Sequence, residues 1–207
     1  MQTAKYIWMD GEFIKWEEAN IHITTHTLHY GNGVFFFFLA YKTKDGLVIF
    51  RLKKHIKRLL DSAKILMIET PYLYEEIKEA IINLIKKNEF KNNIYIRPII
   101  YYGNGNLGIL PSECKVRFSI IAWEWSTPVD EDGLKAGIRA KISSFRRNSL
   151  NSTMSKAKAV SNYLNSQMSK KEVVTSGYDV AILLDDNGFV CETSGECLFI
   201  VRNKTLI

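Results

Sequence analysis

The 207-residue sequence predicts an α+β fold, and three observations carry that prediction. Turn dipeptides flanked by apolar residues recur along the chain. The apolar period becomes helical in only a few stretches. Those helices are too few to alternate one for one with the strands, as a doubly wound sheet requires. The expected architecture is therefore mostly antiparallel sheets with packed helices.

At the start, "YIWMDGEFIKW" sets apolar residues on both sides of Asp10-Gly11, a hairpin signal because both turn positions tolerate positive φ. Residues 25–50, "THTLHYGNGVFFFFLAYKTKDGLVIF", read as two strands joined by a second turn at Asp45-Gly46. The period then changes. Ile56, Leu59, Leu60, Ala63 and Met67 fall on one face of a helix, and Ile77, Ala80, Ile81, Leu84 and Ile85 on one face of another. Strands resume at "NIYIRPIIYYG" and "KVRFSIIAWEW", with Pro98 marking an irregularity or an edge. The polar segment 126–137, "STPVDEDGLKAG", holds Pro and Gly and is the expected interdomain linker. It divides the chain into a small N-terminal α+β domain over 1–125 and a second domain over 138–207. The second opens with the strand "IRAKISSF", continues through a helix after Lys158 and returns to strands around Asn187-Gly188. The sequence ends at "NKTLI", inside what reads as a hairpin, so this second domain is expected to be incomplete, its edge left for a further segment to cover.

Composition excludes several classes of function. A hydrophobic content of 46% with 12% aromatics suffices for a sizeable core and rules out a disordered chain. The net charge of +6 comes from 28 basic residues interleaved with 22 acidic ones, which suits anionic small molecules and gives no basic block for nucleic acid. Cys114, Cys191 and Cys197 show no CxxC spacing and no even framework, consistent with a reducing cytoplasm. No leader-like or membrane-length apolar run appears, so a soluble cytoplasmic protein without a membrane partner is expected. "GNGNLG", residues 103–108, follows a strand with no helix after it and reads as a loop rather than a dinucleotide site. His22, His26 and His29 lie in a segment that reads as strand and turn, with no carboxylate among them, and no metal is expected there.

The stretch "SKAKAVSNYLNS", 155–166, is different. A lone lysine on a helix surface needs no chemical explanation. Lys158, however, stands among Ala157, Ala159 and Ser161, small residues that admit a flat ligand, and Tyr163 lies five positions on. A lysine held partly out of water becomes a nucleophilic amine. Glu192, at the head of "ETSGE", is a carboxylate placed after a strand, and such an acid can hold a pyridine nitrogen protonated. Lysine, phenol and acid together suit pyridoxal 5'-phosphate.

At these residues the sequence resembles the class IV, fold-type IV pyridoxal-phosphate aminotransferases, specifically the branched-chain amino acid aminotransferases. The likeness runs through "YIWMDGEFIKWEEANIHITTHTLHYGNGVF", "FRLKKHIKRLLDSAK", "YIRPIIYYGNGNLGI", "AWEW", "SSFRRNSLNSTMSKAKAVSNYLNS" and "GYDVAILLDDNGFVCETSGECLF". It implies transamination between leucine, isoleucine or valine and 2-oxoglutarate. It implies Lys158 as the lysine bound to the cofactor and the catalytic proton carrier, Glu192 at the pyridine nitrogen, Tyr163 at O3′ and Arg58 at the phosphate. It also implies an aliphatic pocket of Phe35, Tyr95, Ile109 and Trp125, with Tyr30 and Ile109 lent by the second subunit of a homodimer. Tyr95 and Arg97 would face the substrate carboxylate. A D-amino acid transaminase or related lyase shares the lysine and glutamate, and an inactive relative acting through dimer assembly is the reading from a different class.

Two departures stand out. Where the family typically has "VFEGIR", residues 34–39 read "VFFFFL", so Phe37 replaces a glycine and would project with Phe35 toward the pocket, narrowing it. Phe36 and Phe38 would point the other way. Cys197 stands where the family has asparagine, which removes side-chain hydrogen bonds that order the Glu192 loop.

Overall fold

The structure is a computed structural model and describes residues 4–125 and 135–207. Of the expected linker, residues 126–134 lie outside the described residues. Contacts divide the chain into two units: Met1–Ser126 with Lys156–Ser161, and Thr127–Ser155 with Asn162–Ile207.

In the first unit, β1 (Tyr6–Met9) and β2 (Glu12–Lys15) form the expected hairpin, with Asp10 and Gly11 at φ +48° and +103°. The Asp10 carboxylate accepts from Phe118 N–H at 2.8 Å and from Arg117, which ties this turn to a later strand. Thr25–Tyr30, read from sequence as part of a strand, contains instead a short helix, α1 (His26–Tyr30), closed by Gly31 at φ +68°. Then come β3 (Gly33–Phe35), β4 (Phe38–Thr43), β5 (Gly46–Ile49), α2 (Leu52–Ile65), α3 (Tyr74–Asn88), β6 (Ile94–Tyr102) and β7 (Val116–Glu124). The seven strands form one antiparallel sheet in the order β2-β1-β7-β6-β4-β5, with β3 also on β6.

Alternation along the strands gives this sheet two unlike faces. Ile94, Ile96, Ile100, Phe118, Ile120 and Ala122 point to one side, where they pack with Ile56, Leu59, Ala63, Ile77, Ile81 and Leu84 of α2 and α3 in the main core. The expected stripes of both helices are thus the buried ones, with one correction. Met67 does not extend the α2 stripe: the helix ends at Ile65, and Met67 takes φ +54° and is 85% exposed. Pro98 is buried in the middle of a central strand, paired with Ile120. Its carbonyl accepts from Phe36 N–H at 3.1 Å, so its missing N–H falls on the side where β3 has ended and β4 has not begun. The irregularity expected at Pro98 is therefore a gap in the neighbouring strand.

The second unit contains β8 (Ala140–Ile142), α4 (Tyr163–Thr175), β9 (Val180–Leu184) and β10 (Val190–Thr193). β9 pairs with β10 antiparallel and with β8 parallel, the one parallel pair among the described residues. The Ser143 hydroxyl and Ser144 N–H hold the Glu172 carboxylate of α4 and keep it below the usual glutamate range. A last hairpin, β11 (Val201–Arg202) with β12 (Thr205–Leu206), turns through Asn203 and Lys204 at positive φ.

Candidate active site

The open face of the first unit's sheet is built from the residues between the core positions. Because β6 alternates, Tyr95 and Arg97 both leave the core side. They touch: Arg97 Nη2 donates to the Tyr95 hydroxyl at 2.7 Å. The guanidinium also lies 5.3, 5.1 and 5.6 Å from the ring centres of Phe35, Tyr95 and Trp123. The charge inside an apolar strand is thus partnered by a hydroxyl and by π faces, while its Nε is buried without a hydrogen-bond partner among the described residues.

Three rings form a stack along this face. Phe37 lies on Tyr95 at 5.1 Å and 11°, and Tyr95 lies on Trp123 at 4.4 Å and 24°. Phe37 is 38% exposed, while Phe36 and Phe38 sit in the core, their rings 5.0 and 5.2 Å from that of His55. The phenylalanine run alternates as expected. Burial lowers the His55 pKa below its ordinary value.

Lys158 is not on a helix. Residues 156–161 group with the first unit because they run beside β3: Phe35 N–H donates to the Lys158 carbonyl at 3.1 Å, and Val34 and Ala159 form an antiparallel bridge. Ala157 and Ala159 are buried, so their smallness serves this close docking. Lys158 is half-buried, its amine 5.4, 5.7 and 5.1 Å from the rings of Phe35, Phe36 and Phe37. The exposed Arg58 side chain on α2 reaches the same Phe36 ring at 5.0 Å. An amine and a guanidinium that approach one ring make a place suited to an anionic ligand, and pyridoxal phosphate fits that charge pattern.

Tyr30 and the loop after β6 come together. The Tyr30 hydroxyl donates to Leu107 O at 2.6 Å, and the His26 ring bonds Gly108 O at 2.9 Å. "GNGNLG" is thus a loop fastened to α1, and Ile109 beside it is 79% exposed. His22 and His29 turn to other partners, Thr24 Oγ1 and Ile23 O. Trp125 follows β7 and is held by its N–H on Asn93 O at 2.8 Å. No group of His, Cys, Asp and Glu among the described residues could hold a metal.

The remaining candidates belong to the second unit. Tyr163, half-buried, opens α4. Glu192 is half-buried on β10 just past an irregular step in its pairing, and its Oε1 accepts from Thr193 N–H at 3.1 Å. Beyond it the Thr193 hydroxyl accepts from Glu196 N–H at 2.8 Å and bonds the Glu196 carboxylate at 3.0 Å. Thr193 therefore closes the loop that departs from the family pattern at Cys197.

Sequence reasoning missed Trp123 and Ser62. Trp123 meets Tyr95 only through the β6–β7 register, which no local pattern reveals. Ser62 is a hydroxyl in the apolar stripe of α2, 1% exposed, and that misfit was its visible signal.

The chain belongs to the class IV aminotransferases: the family model for "Amino-transferase class IV" matches residues 37–207. Within that family it is 42% identical over 200 residues to the branched-chain-amino-acid aminotransferase of Pseudomonas aeruginosa, covering 97% of this chain and 65% of that protein. The Escherichia coli K12 enzyme of the same name is 38% identical over 206 residues, covering 99% and 66%. Among solved structures, a T.th. branched-chain amino acid aminotransferase with pyridoxamine 5'-phosphate superposes with a TM-score of 0.95 at 41% identity, over all of this chain and 68% of that one. An Escherichia coli branched-chain amino acid aminotransferase gives 0.94 at 38%, over 98% and 67%. The fold is fold-type IV. The chain spans about two thirds of the length of the curated relatives it matches.

Proposed function

We propose that the protein is a pyridoxal-phosphate-dependent aminotransferase that moves the amino group between a branched-chain L-amino acid and 2-oxoglutarate. The observation that carries this is half-buried Lys158, its amine among three rings, with Arg58 reaching one of those rings, Phe36. The relatives named for this reaction support the substrate class.

When bound, the cofactor supplies an electron-withdrawing ring that makes the substrate Cα–H acidic. Lys158 would hold the cofactor and, as an amine, would carry the proton removed from the substrate Cα. Arg58 would hold its phosphate, Tyr163 its phenolic oxygen and Glu192 its ring nitrogen. Arg97, with its unpaired Nε and its hydrogen bond to Tyr95, receives the substrate carboxylate. Phe35, Tyr95 and Trp125 line the side-chain pocket and keep water from it. Tyr30 and Ile109, exposed and fastened near one another, reach the pocket of a second copy in a homodimer. The same reading places the protein in the cytoplasm and divides it at 126–137. Among the described residues no helix is long and apolar enough to cross a membrane.

Leucine, 2-oxoglutarate and pyridoxal phosphate incubated with the protein should yield glutamate, and Lys158→Ala should yield none. Equal glutamate from wild type and variant would end the proposal. Glutamate from D-alanine in preference to leucine would transfer it to the D-amino acid enzymes.

A further inference from the structure

Ser62 lies on α2 one turn after Arg58, and its hydroxyl makes two bonds. It donates to the Arg58 carbonyl at 2.8 Å and accepts from the Lys158 N–H at 3.1 Å. A serine that back-bonds within its own helix is common and needs no role. The second bond is different, because it spans 96 residues of sequence and reaches the backbone of the lysine on which the proposed chemistry rests.

The Lys158 peptide is thereby held from two sides. Its carbonyl accepts from Phe35 N–H at 3.1 Å, and its N–H has the Ser62 oxygen. Ser62 is itself 1% exposed. Water therefore cannot readily take the hydroxyl's place, and a buried N–H stripped of its acceptor is costly. The flanking Ala157 and Ala159 are buried too, so the segment has little room to shift.

We propose that Ser62 is a positioning residue: one buried hydroxyl locks the helix that carries Arg58 to the backbone of Lys158 and so fixes the distance between the phosphate-binding guanidinium and the reacting amine. This rests on the reading of Lys158 and Arg58 given above. The lock itself exists whether or not that chemistry does. It predicts that the hydroxyl, and not the volume of the side chain, is what matters at this position. It also predicts a local effect, confined to residues 157–159, with α2 intact because the remaining helical hydrogen bonds survive.

Amide hydrogen exchange on the purified protein, resolved to single residues, reads the lock directly. In Ser62→Ala the Lys158 amide should exchange at least about tenfold faster, the equivalent of ~1.4 kcal/mol, while Leu59 and Leu66 amides stay as in wild type. Ser62→Cys, of similar size but a poor acceptor, should behave as Ser62→Ala does. Ser62→Thr, which keeps the hydroxyl, should restore slow exchange. In the same samples an amine-acylating reagent should label Lys158 at a rate changed several-fold by Ser62→Ala and Ser62→Cys but not by Ser62→Thr, with exposed Lys57 as the internal standard. Unchanged Lys158 exchange in Ser62→Ala and Ser62→Cys would overturn the proposal. So would faster exchange spread across α2 and the sheet, which is what a merely structural serine gives. Failure of the underlying aminotransferase reading shows elsewhere, as wild-type protein without a Lys158-dependent cofactor absorbance, and leaves these exchange rates as they are.

Discussion

The two faces of the seven-stranded sheet are made by the same strands and differ in nearly every physical respect. On the helix side, Ile94, Ile96, Ile100, Phe118, Ile120 and Ala122 are each fully buried and apolar. On the other, Tyr95, Arg97 and Trp123 occupy the intervening positions of β6 and β7, half-buried, with a cation among rings. The closed face supplies the cohesion that keeps the strands in register. The open face uses that register to bring Phe37, Tyr95 and Trp123 into a stack beside Lys158. Alternation thus separates stability from chemistry one residue at a time.

If that separation is real, substitutions on the two faces should have different consequences. The largest effect on folding should come from Phe118→Ala, which empties a closed-face site that also packs against the rings of Trp8 and Tyr72, and should cost about 3–5 kcal/mol in denaturant unfolding. A loss below about 1 kcal/mol would break the comparison. Arg97→Gln on the open face should change unfolding by less than about 1 kcal/mol. It should also lower kcat/KM for leucine by roughly tenfold to a hundredfold, as expected for removal of a charge-assisted carboxylate contact. Phe37→Gly should widen the range of accepted side chains, raising the rate with leucine relative to valine several-fold. Unchanged relative rates would remove Phe37 from the pocket.

The smallest effect concerns His55, which lies against the closed-face rings of Phe36 and Phe38. Burial lowers its pKa from 6.5, so the unfolded chain binds a proton more readily than the folded one. Its contribution to stability is complete above pH 6.5 and is lost as the pH falls through the lowered folded value. Melting temperature should therefore fall as the pH drops from about 7.5 to about 5, and His55→Gln should flatten that part of the profile.

The sheet hairpins and the stripes of α2 and α3 were legible in the sequence because turn chemistry and apolar period act over a few residues. The two faces of the phenylalanine run were legible for the same reason. Met67 misled because a left-handed residue at the helix end interrupts a stripe that the sequence continues. The helix at His26–Tyr30 hid inside a stretch rich in strand formers, where closure depends on Gly31. Within the site, Lys158 stood out through its small neighbours and the nearby Tyr163, whereas Arg58 was named only through family resemblance. That Lys158 lies beside β3 and not on a helix depends on the pairing of Val34 with Ala159, residues far apart in the chain, which local pattern does not encode. The same holds for Trp123 and Ser62, whose partners are set by strand register and helix docking.

The central claim is that Lys158 is the amine that takes the cofactor. Protein incubated with pyridoxal phosphate, reduced with borohydride and digested should carry the added pyridoxyl mass on the peptide containing Lys158, at near one per chain and ahead of every other lysine. A pyridoxyl label spread over exposed lysines such as Lys57 and Lys78, with the Lys158 peptide unmodified, would contradict it.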